Sequence, residues 1–479
     1  MEVRSVVGTR TLRPALLLVP ALVVAAWSPL PALPPPDPAA AVGSRTSASA
    51  DLPPGDTVRL TLQAAIDLAL SGHPSLLAAE ASFGRAASEL RNARAARLPS
   101  VMGEASLVRY QDPMVVAPLS GFDPLSPPVF DRTLVQGSVS FGYTLWDGGA
   151  RSARVRRATA LTGAAGSEAS AARQALIART IRAYLRVLTA REVVAANEAR
   201  IAAVAGERDR AAKFLDQGRA PRVMFLRAEA ALATAEADAH EARGELLVAE
   251  RDLARLLGRA PSEVEALDLA AVRPAAHGMG DRDAILARAY ETNPDLARLA
   301  MRVVAAEAAE AEARSLWLPR VDAIGRFTEY AAGPGHERAL WQGGVQLRYP
   351  FFTGGVRAAA GDRAHAERRV AEAALQLARL ELASALDEAL ATLESERARV
   401  AALTAAVAHS EEVVAIERLA LEAGAGVQSD YLSAEAELLR SRAALAAARA
   451  AEIGARVEVA RLVGELDRGW IDTHLETGS

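Results

Sequence analysis

Residues 143–149 have the sequence YTLWDGG, and residues 349–355, which lie 206 positions further on, have the sequence YPFFTGG. The same offset relates Gly218 to Gly424 and residues 254–258 to residues 460–464. Upstream of Pro319 the offset is 220, as between His73 and Asn293, so a net deletion of 14 residues aligns the chain with itself. Because such a repeat is a unit of architecture, the sequence predicts a duplicated fold.

Each copy contains a segment in which apolar and polar side chains alternate, Val135–Leu145 in the first copy and Trp341–Phe351 in the second. Period-two alternation predicts strands with one apolar face. Ser100–Tyr110 and Val321–Tyr330 are expected to be their hairpin partners. Four strands of about 10 residues are long enough to cross a membrane on a tilt. The apolar face would meet lipid, and glutamine, serine and arginine would face water. A half-buried sheet in a soluble protein is the alternative.

Two glycine pairs follow these strands and are expected to be strand-to-helix junctions: Gly148, Gly149, Gly354 and Gly355. No proline occurs in Ala150–Asp216 or in Val356–Ala423. Each run therefore predicts a helix of nearly 70 residues, about 100 Å long.

Apolar residues recur every seven positions in the second long helix, at Leu386, Leu393, Val400, Val407, Val414 and Leu421. This is the spacing of a coiled-coil seam. It indicates either the packing of helices in a barrel wall or an ordinary soluble coiled coil.

Gly218 and Gly424 are expected to cap the long helices in the left-handed conformation. Return helices would follow, from Pro221 or Val427 to about Gly258 or Gly464. Shorter helices are predicted at residues 61–70 and 74–97. The connector 259–281 could form a belt with the tail after Glu465.

The first residues have the layout of a secretory signal peptide, with Arg4, Arg10 and Arg13 before an apolar run from Ala15 to Ala26. The predicted organisation has six parts: signal peptide 1–41, flexible segment 42–59, first repeat 60–258, connector 259–280, second repeat 281–464 and tail 465–479. No later segment offers 18 uninterrupted apolar residues. A membrane location would therefore require a β-barrel. Four strands are too few for a single-chain barrel, since the smallest use about 8, so several chains would have to combine.

Composition narrows the class of protein. Hydrophobic residues make up 51% of the chain and aromatic residues 4%, which favours long helices over a bulky globular core. The net charge of −4 gives no reason to expect a nucleic-acid partner. Cysteine is absent, and the seven histidines have no ligand spacing. We therefore expect no metal, no cofactor and no enzyme activity.

The paired motifs resemble those of the outer membrane efflux protein family, the TolC-like channel-tunnels of Gram-negative bacteria. The resemblance rests on Tyr143–Gly149 and Tyr349–Gly355 at the junctions. It also rests on the hairpin tips, which run from Gly218 through Glu229 and from Gly424 through Glu435.

The resemblance implies a mainly α protein with a membrane β-barrel: a homotrimer in which three chains share a 12-stranded barrel above a trimeric α-barrel of coiled-coil helices. It would lie in the outer membrane, in contact with lipid, and extend into the periplasm. Family members are passive exit ducts of tripartite efflux pumps or type I secretion systems. They work with a periplasmic adaptor and an inner-membrane transporter. A soluble periplasmic coiled-coil scaffold remains the alternative.

By the same resemblance, Asp430 matches an acid of the periplasmic entrance, where three like charges would attract cations. Ser433 and Met224 stand where some members carry further acids. For Asp430 an alternative role is to stabilise the free amides at a helix start. The tip residues Gly218, Arg219, Gly424 and Gly426 are expected to contact the adaptor. The proline-rich stretch Gln111–Arg132 is expected to be a long external loop, either folded over the barrel mouth or disordered.

Overall fold

The computed structural model describes residues 59–115, 130–265, 267–275, 280–331, 337–423 and 425–477. The expected signal peptide and nearly all of segment 42–59 lie outside these residues. The described chain divides into a sheet unit, within residues 97–147 and 319–349, and a helical unit formed by the remainder.

Helices of matched length form the helical unit. In the first copy they are α1 (Leu62–Gly72), α2 (Pro74–Ala95), α3 (Ala150–Asp216) and α4 (Arg222–Leu257). A five-residue α5 (Pro261–Glu265) lies in the connector. The second copy comprises α6 (Arg282–Thr292), α7 (Pro294–Ser315), α8 (Val356–Glu422) and α9 (Gln428–Val463), followed by α10 (Arg468–His474). Corresponding helices contain 11, 22, 67 and 36 residues in both copies, so the predicted duplication is confirmed. None of the helices within the described ranges is both long and apolar enough to span a membrane.

The sheet unit is a single four-stranded antiparallel sheet. Its strands are β2 (Ser100–Val115), β3 (Phe130–Trp146), β6 (Arg320–Ala331) and β7 (Glu337–Arg348), in the order β2-β3-β6-β7. The two predicted hairpins therefore lie side by side, with β3 paired to β6.

The strands differ in length from the prediction of about 10 residues. They contain 16, 17, 12 and 12 residues. Much of the expected loop Gln111–Arg132 lies outside the described residues, but Gln111–Val115 and Phe130–Arg132 are strand rather than loop. Pro113 is accommodated because the pairing of β2 with β3 shifts register between Arg109 and Met114. In the second copy the strand ends at Arg348, three residues before the predicted Phe351, because Pro350 has no amide to donate.

Four short strands lie beside the helices: β1 (Arg59–Leu60), β4 (Asp268–Leu269), β5 (Val272–Pro274) and β8 (Leu475–Thr477). β1 pairs with β4 in the connector, and β5 pairs with β8 in the tail. The connector therefore pairs with the tail, as predicted.

A large apolar core lies where α1, α3, α4 and α9 meet. Its buried members include Leu62, Ile66, Ile181, Tyr184, Leu253, Ile453 and Val457. The Tyr184 hydroxyl lies 2.7 Å from the carbonyl oxygen of Leu60 and 2.8 Å from that of Ala270. Burial raises the pKa of Tyr184, so the hydroxyl keeps the proton that it donates. The Tyr184 side chain therefore links α3 to Leu60 in β1 and to Ala270, which directly follows β4.

The predicted seam of α8 is covered along its length. Leu386 and Leu393 are buried, and the four later members are half-buried. α8 packs along α9, so the seven-residue spacing does mark a packed face.

Candidate functional site

The strand-to-helix junctions are built by glycines in the left-handed conformation. Gly148 and Gly149 have φ of 65° and 89°, and Gly354 and Gly355 have φ of 58° and 88°. Gly149 and Gly355 are the N-cap residues of α3 and α8. An L-residue is disfavoured at such φ by about 1–2 kcal/mol. In both copies the chain therefore passes from strand into helix with the same backbone geometry.

The second junction also contains an arginine that sequence reasoning missed. The guanidinium carbon of Arg357 lies 4.6 Å from the centroid of the Trp317 ring. Its Nη2 donates to the carbonyl of Phe351 at 3.2 Å, and its Nε to the Thr353 hydroxyl at 3.3 Å. Arg357 is buried by these contacts. Phe351 and Thr353 belong to the junction motif, but Trp317 comes from a distant segment, so the sequence alone does not mark this contact.

The sheet has one apolar and one polar face, as the alternation predicted. The register places Val139 beside Phe327 and Phe327 beside Trp341 on one face. Large apolar side chains on this face are exposed: Val101, Leu107, Val135, Val139, Phe141, Phe327, Trp341, Val345 and Leu347. A soluble protein rarely leaves so large an apolar patch open, so this face requires an apolar neighbour.

The opposite face is mainly polar, and a few of its side chains on the two inner strands are buried. Ser138 is 9% exposed, whereas its neighbour Val139 is 44% exposed. Thr328 and Asp322 on the polar face are also buried. Burial on this face is uneven, since Met102 and Ile324 are 66% and 47% exposed.

The two helical hairpins have matching tips. In the first, the amides of Arg219 and Ala220 donate to the carbonyl of Phe214 at 2.8 and 3.2 Å. In the second, the amides of Ala425 and Gly426 donate to the carbonyl of Ala420 at 3.0 and 2.9 Å. These pairs are related by the repeat offset of 206, so the tips are equivalent.

The tip residues singled out from the sequence have distinct roles in this geometry. Gly218 has φ of 65° and ends the first long helix, as predicted. Gly424 lies outside the described residues. A Cβ on Gly426 would lie 2.8 Å from the amide nitrogen of Leu421, so a larger residue would require the backbone of this tip to shift, although the equivalent residue of the first tip is Ala220. The Arg219 guanidinium lies 5.3 Å from the centroid of the Phe214 ring. The expected adaptor contact of these residues stays a prediction.

Asp430 and Met224 occupy equivalent positions, each the third residue of a return helix. Asp430 is exposed, and its carboxylate accepts a hydrogen bond from the Ser429 hydroxyl at 3.2 Å. Ser433 is exposed one turn further on, and Met224 is half-buried. The N-cap of α9, Val427, offers no side-chain hydrogen bond to the helix start. The geometry therefore accommodates both roles considered for Asp430, an entrance charge and an acid near free amides.

A buried polar pair joins the two hairpins near these tips. Nε2 of Gln428 donates to Oε1 of Glu207 at 2.9 Å, and both side chains are buried. Nη1 of Arg210 lies 3.3 Å from the other Glu207 oxygen, Oε2. The Tyr431 hydroxyl donates to Glu435 at 3.0 Å, and burial raises the pKa of Tyr431. Sequence reasoning missed Glu207 and Gln428 because 221 positions separate them and neither belongs to a motif.

Comparisons with known proteins agree with this architecture. The sequence profile of the family described as outer membrane efflux protein matches residues 65–259 and 285–465. Protein CyaE of Bordetella pertussis is 29% identical over 429 residues, which cover 84% of this chain and 86% of CyaE.

Two solved structures share the fold. The outer membrane protein VceC of Vibrio cholerae superposes with a TM-score of 0.71 at 21% identity, covering 84% of this chain and 96% of VceC. The CmeC outer membrane channel of Campylobacter jejuni superposes with a TM-score of 0.72 at 18% identity, covering 84% of this chain and 85% of CmeC. The matched family is one of outer membrane efflux proteins, so the prediction of a non-enzymatic protein is confirmed. The chain belongs to the outer membrane efflux protein family.

Proposed function

We propose that this protein is the passive outer-membrane exit duct of a tripartite efflux pump or type I secretion system. It would assemble as a homotrimer, with its sheet in the outer membrane and its helices in the periplasm. The observation that carries the proposal is the exposed apolar face of the sheet, opposite a mainly polar face.

The edges of the sheet support a multichain barrel. Among the described strands, β2 pairs only with β3, and β7 pairs only with β6, so each has an open edge. Open edges do not occur in the hydrocarbon of a membrane, because their amides and carbonyls would lack partners. Pairing β7 of one chain with β2 of the next closes the sheet. Three chains with four strands each would give the 12-stranded barrel implied by the family resemblance.

The helical unit supplies the periplasmic part of the proposed duct. α3 and α8 contain 67 residues each, so each is about 100 Å long. Their tips would meet the periplasmic adaptor through Gly218, Arg219, Gly424 and Gly426, and an inner-membrane transporter would drive the substrate. Asp430 would line the entrance, together with Ser433 on the same helix and Met224 at the equivalent position of the first copy.

Substitution on the two faces of one strand tests the membrane location. Val139→Arg places a charge on the apolar face, where an arginine at the bilayer centre costs about 2–4 kcal/mol. We expect little assembled protein in the outer membrane, as measured by fractionation and heat-resistant oligomers on gels. Val345→Arg in β7 should act in the same way.

Gln136→Arg is the matched control, because it introduces the same side chain on the polar face of the same strand. It should assemble like the unmodified protein. Normal assembly of both Val139→Arg and Val345→Arg would overturn the proposed barrel.

A further inference from the structure

Arginine predominates among the charged residues on the polar face of the sheet. Within the continuous pairing of the described strands, this face carries Arg320, Arg326, Arg338 and Arg348 against Glu104 and Asp322. The net charge of these positions is +2 per chain. The excess is local, because the whole chain has a net charge of −4.

One of these arginines is compensated by a neighbouring acid. Nε of Arg320 donates to Asp322 at 2.9 Å, and Nη2 of Arg320 donates to the Thr144 hydroxyl at 2.8 Å. The Thr144 hydroxyl itself donates to Asp322 at 2.7 Å. Asp322 is thus held within a local network at the end of the sheet nearest the helices in sequence.

A second arginine lies directly opposite this network. Arg348 pairs with Arg320 in the register of β6 and β7, and its Nη2 donates to the neutral Gln346 at 3.3 Å. Like charges placed directly opposite each other destabilise a sheet. Asp322 lies near both arginines, so one carboxylate offsets two guanidinium groups and the polar face keeps an excess of positive charge at this end.

The four arginines are distributed along the length of the paired strands β6 and β7. Arg326 lies six residues from Arg320 on β6, about 20 Å away at 3.4 Å per residue. Arg338 lies opposite Tyr330, which is ten residues and about 34 Å from Arg320. In a trimer each level would become a ring, so positive charge would recur through the thickness of the membrane.

We propose that this face makes the lumen of the barrel attractive to anions, and that the duct favours anionic solutes such as carboxylates and phosphates. The inference rests on the proposed function, which turns the polar face into a lumen wall. Clefts lined by one sign of charge concentrate oppositely charged solutes. Rings of arginine line anion-conducting pores. Arg326 and Arg348 would determine this preference.

Planar bilayer recording of the purified full-length protein tests the proposal. The probes are the reversal potential in a potassium chloride gradient and current block by inositol hexakisphosphate, added to each side in turn. Arg326→Gln combined with Arg348→Gln reduces the net charge of the face from +2 to zero. We expect this double variant to shift the reversal potential toward cation preference. At about 0.1 M salt, where the screening length is about 10 Å, block should weaken about tenfold or more.

Arg109→Gln is the control for charge removal, because Arg109 lies on the apolar-side register with Leu107 and Val135. It should leave block and reversal potential unchanged. The recordings are repeated in an Asp430→Ala background, so that an entrance charge does not mask the barrel. If the double variant forms a conducting trimer with unchanged ion preference and unchanged block, the inference is overturned and the proposed function is not. Absence of any conducting trimer would overturn the proposed function.

Discussion

The long helices of the two copies, α3 and α8, both contain 67 residues and start from equivalent glycines, yet they are buried to different extents. α3 has 16 buried residues and packs against helices on both sides, whereas α8 has 6. The repeat thus determines the secondary structure, while position in the layer of helices determines burial.

One pair of equivalent positions shows the difference most clearly. Gln174 in α3 is 8% exposed, and its Nε2 donates to the carbonyl of Gly464 at 2.7 Å. The equivalent residue in α8 is Leu380, which is 71% exposed. The polar Gln174 is buried and the apolar Leu380 is exposed to solvent, which is the reverse of the usual preference of these residue types. In the proposed trimer a neighbouring chain would cover Leu380, so an apolar side chain suits that position.

The largest effect is expected from substitution of this exposed leucine. Leu380→Asp should abolish trimer assembly while leaving the helix content unchanged, because the single chain leaves the residue open. The measurement is native mass in detergent together with circular dichroism. Leu380→Met keeps the apolar volume and should retain the trimer. A trimeric Leu380→Asp protein would show that α8 meets water rather than another chain.

The junction glycines should behave alike in both copies. Gly149→Ala and Gly355→Ala place a Cβ at φ of 89° and 88°, which should destabilise the fold by about 1–2 kcal/mol each. Thermal unfolding measures the loss. Gly361→Ala, inside α8 with open space around it, should stabilise slightly or have no effect. If the two substitutions at Gly149 and Gly355 reduce the stability of the fold by different amounts, the two junctions are not equivalent.

The hairpin tips differ in charge at one equivalent position. Asp430→Ala should weaken cation preference at the entrance or enlarge the conductance, because it removes three carboxylates from the proposed trimer. Met224→Asp should act in the opposite direction by giving the first copy the acid of the second. Bilayer conductance and reversal potential report both. If neither substitution changes these values, the entrance role of Asp430 is wrong and its helix-start role remains.

The smallest effect concerns the caps of the short helices. His73 Nδ1 accepts from the amide of Ser75 at 3.2 Å, whereas Asn293 Oδ1 accepts from the amide of Leu296 at 3.0 Å in the second copy. Burial, with Arg179 and Arg255 nearby, lowers the pKa of His73 below 6.5. Neutral imidazole is therefore favoured in the folded state, and its contribution is fully present above pH 6.5 and is lost as the pH falls through the lowered value.

His73→Asn should remove this pH dependence while keeping the cap. Unfolding of both proteins between pH 7 and pH 5 measures the difference. An equal loss of stability in the two proteins would assign the acid sensitivity to other groups.

Sequence patterns predicted the helices more accurately than the strands. Proline-free runs between glycines located α3 and α8 to within one residue, because alanine-rich sequence favours helix and the flanking glycines mark the helix ends. Strand ends depend on pairing with a distant partner. Pro113 suggested a loop, but a register shift on an outer strand accommodates it.

The candidate site was predictable only in part. The junction glycines and Gly218 carry a conformational signature that the sequence displays directly. The Glu207–Gln428 pair and the Trp317–Arg357 contact arise when separate helices or segments come together. No spacing within one segment encodes them, so only the tertiary structure shows them.

The most direct test of the central claim is the native mass of the particle extracted from fractionated membranes in mild detergent. We expect a trimer to be recovered from the outer membrane. A monomer or dimer recovered from the periplasm without detergent would contradict the barrel and leave a coiled-coil scaffold as the better description.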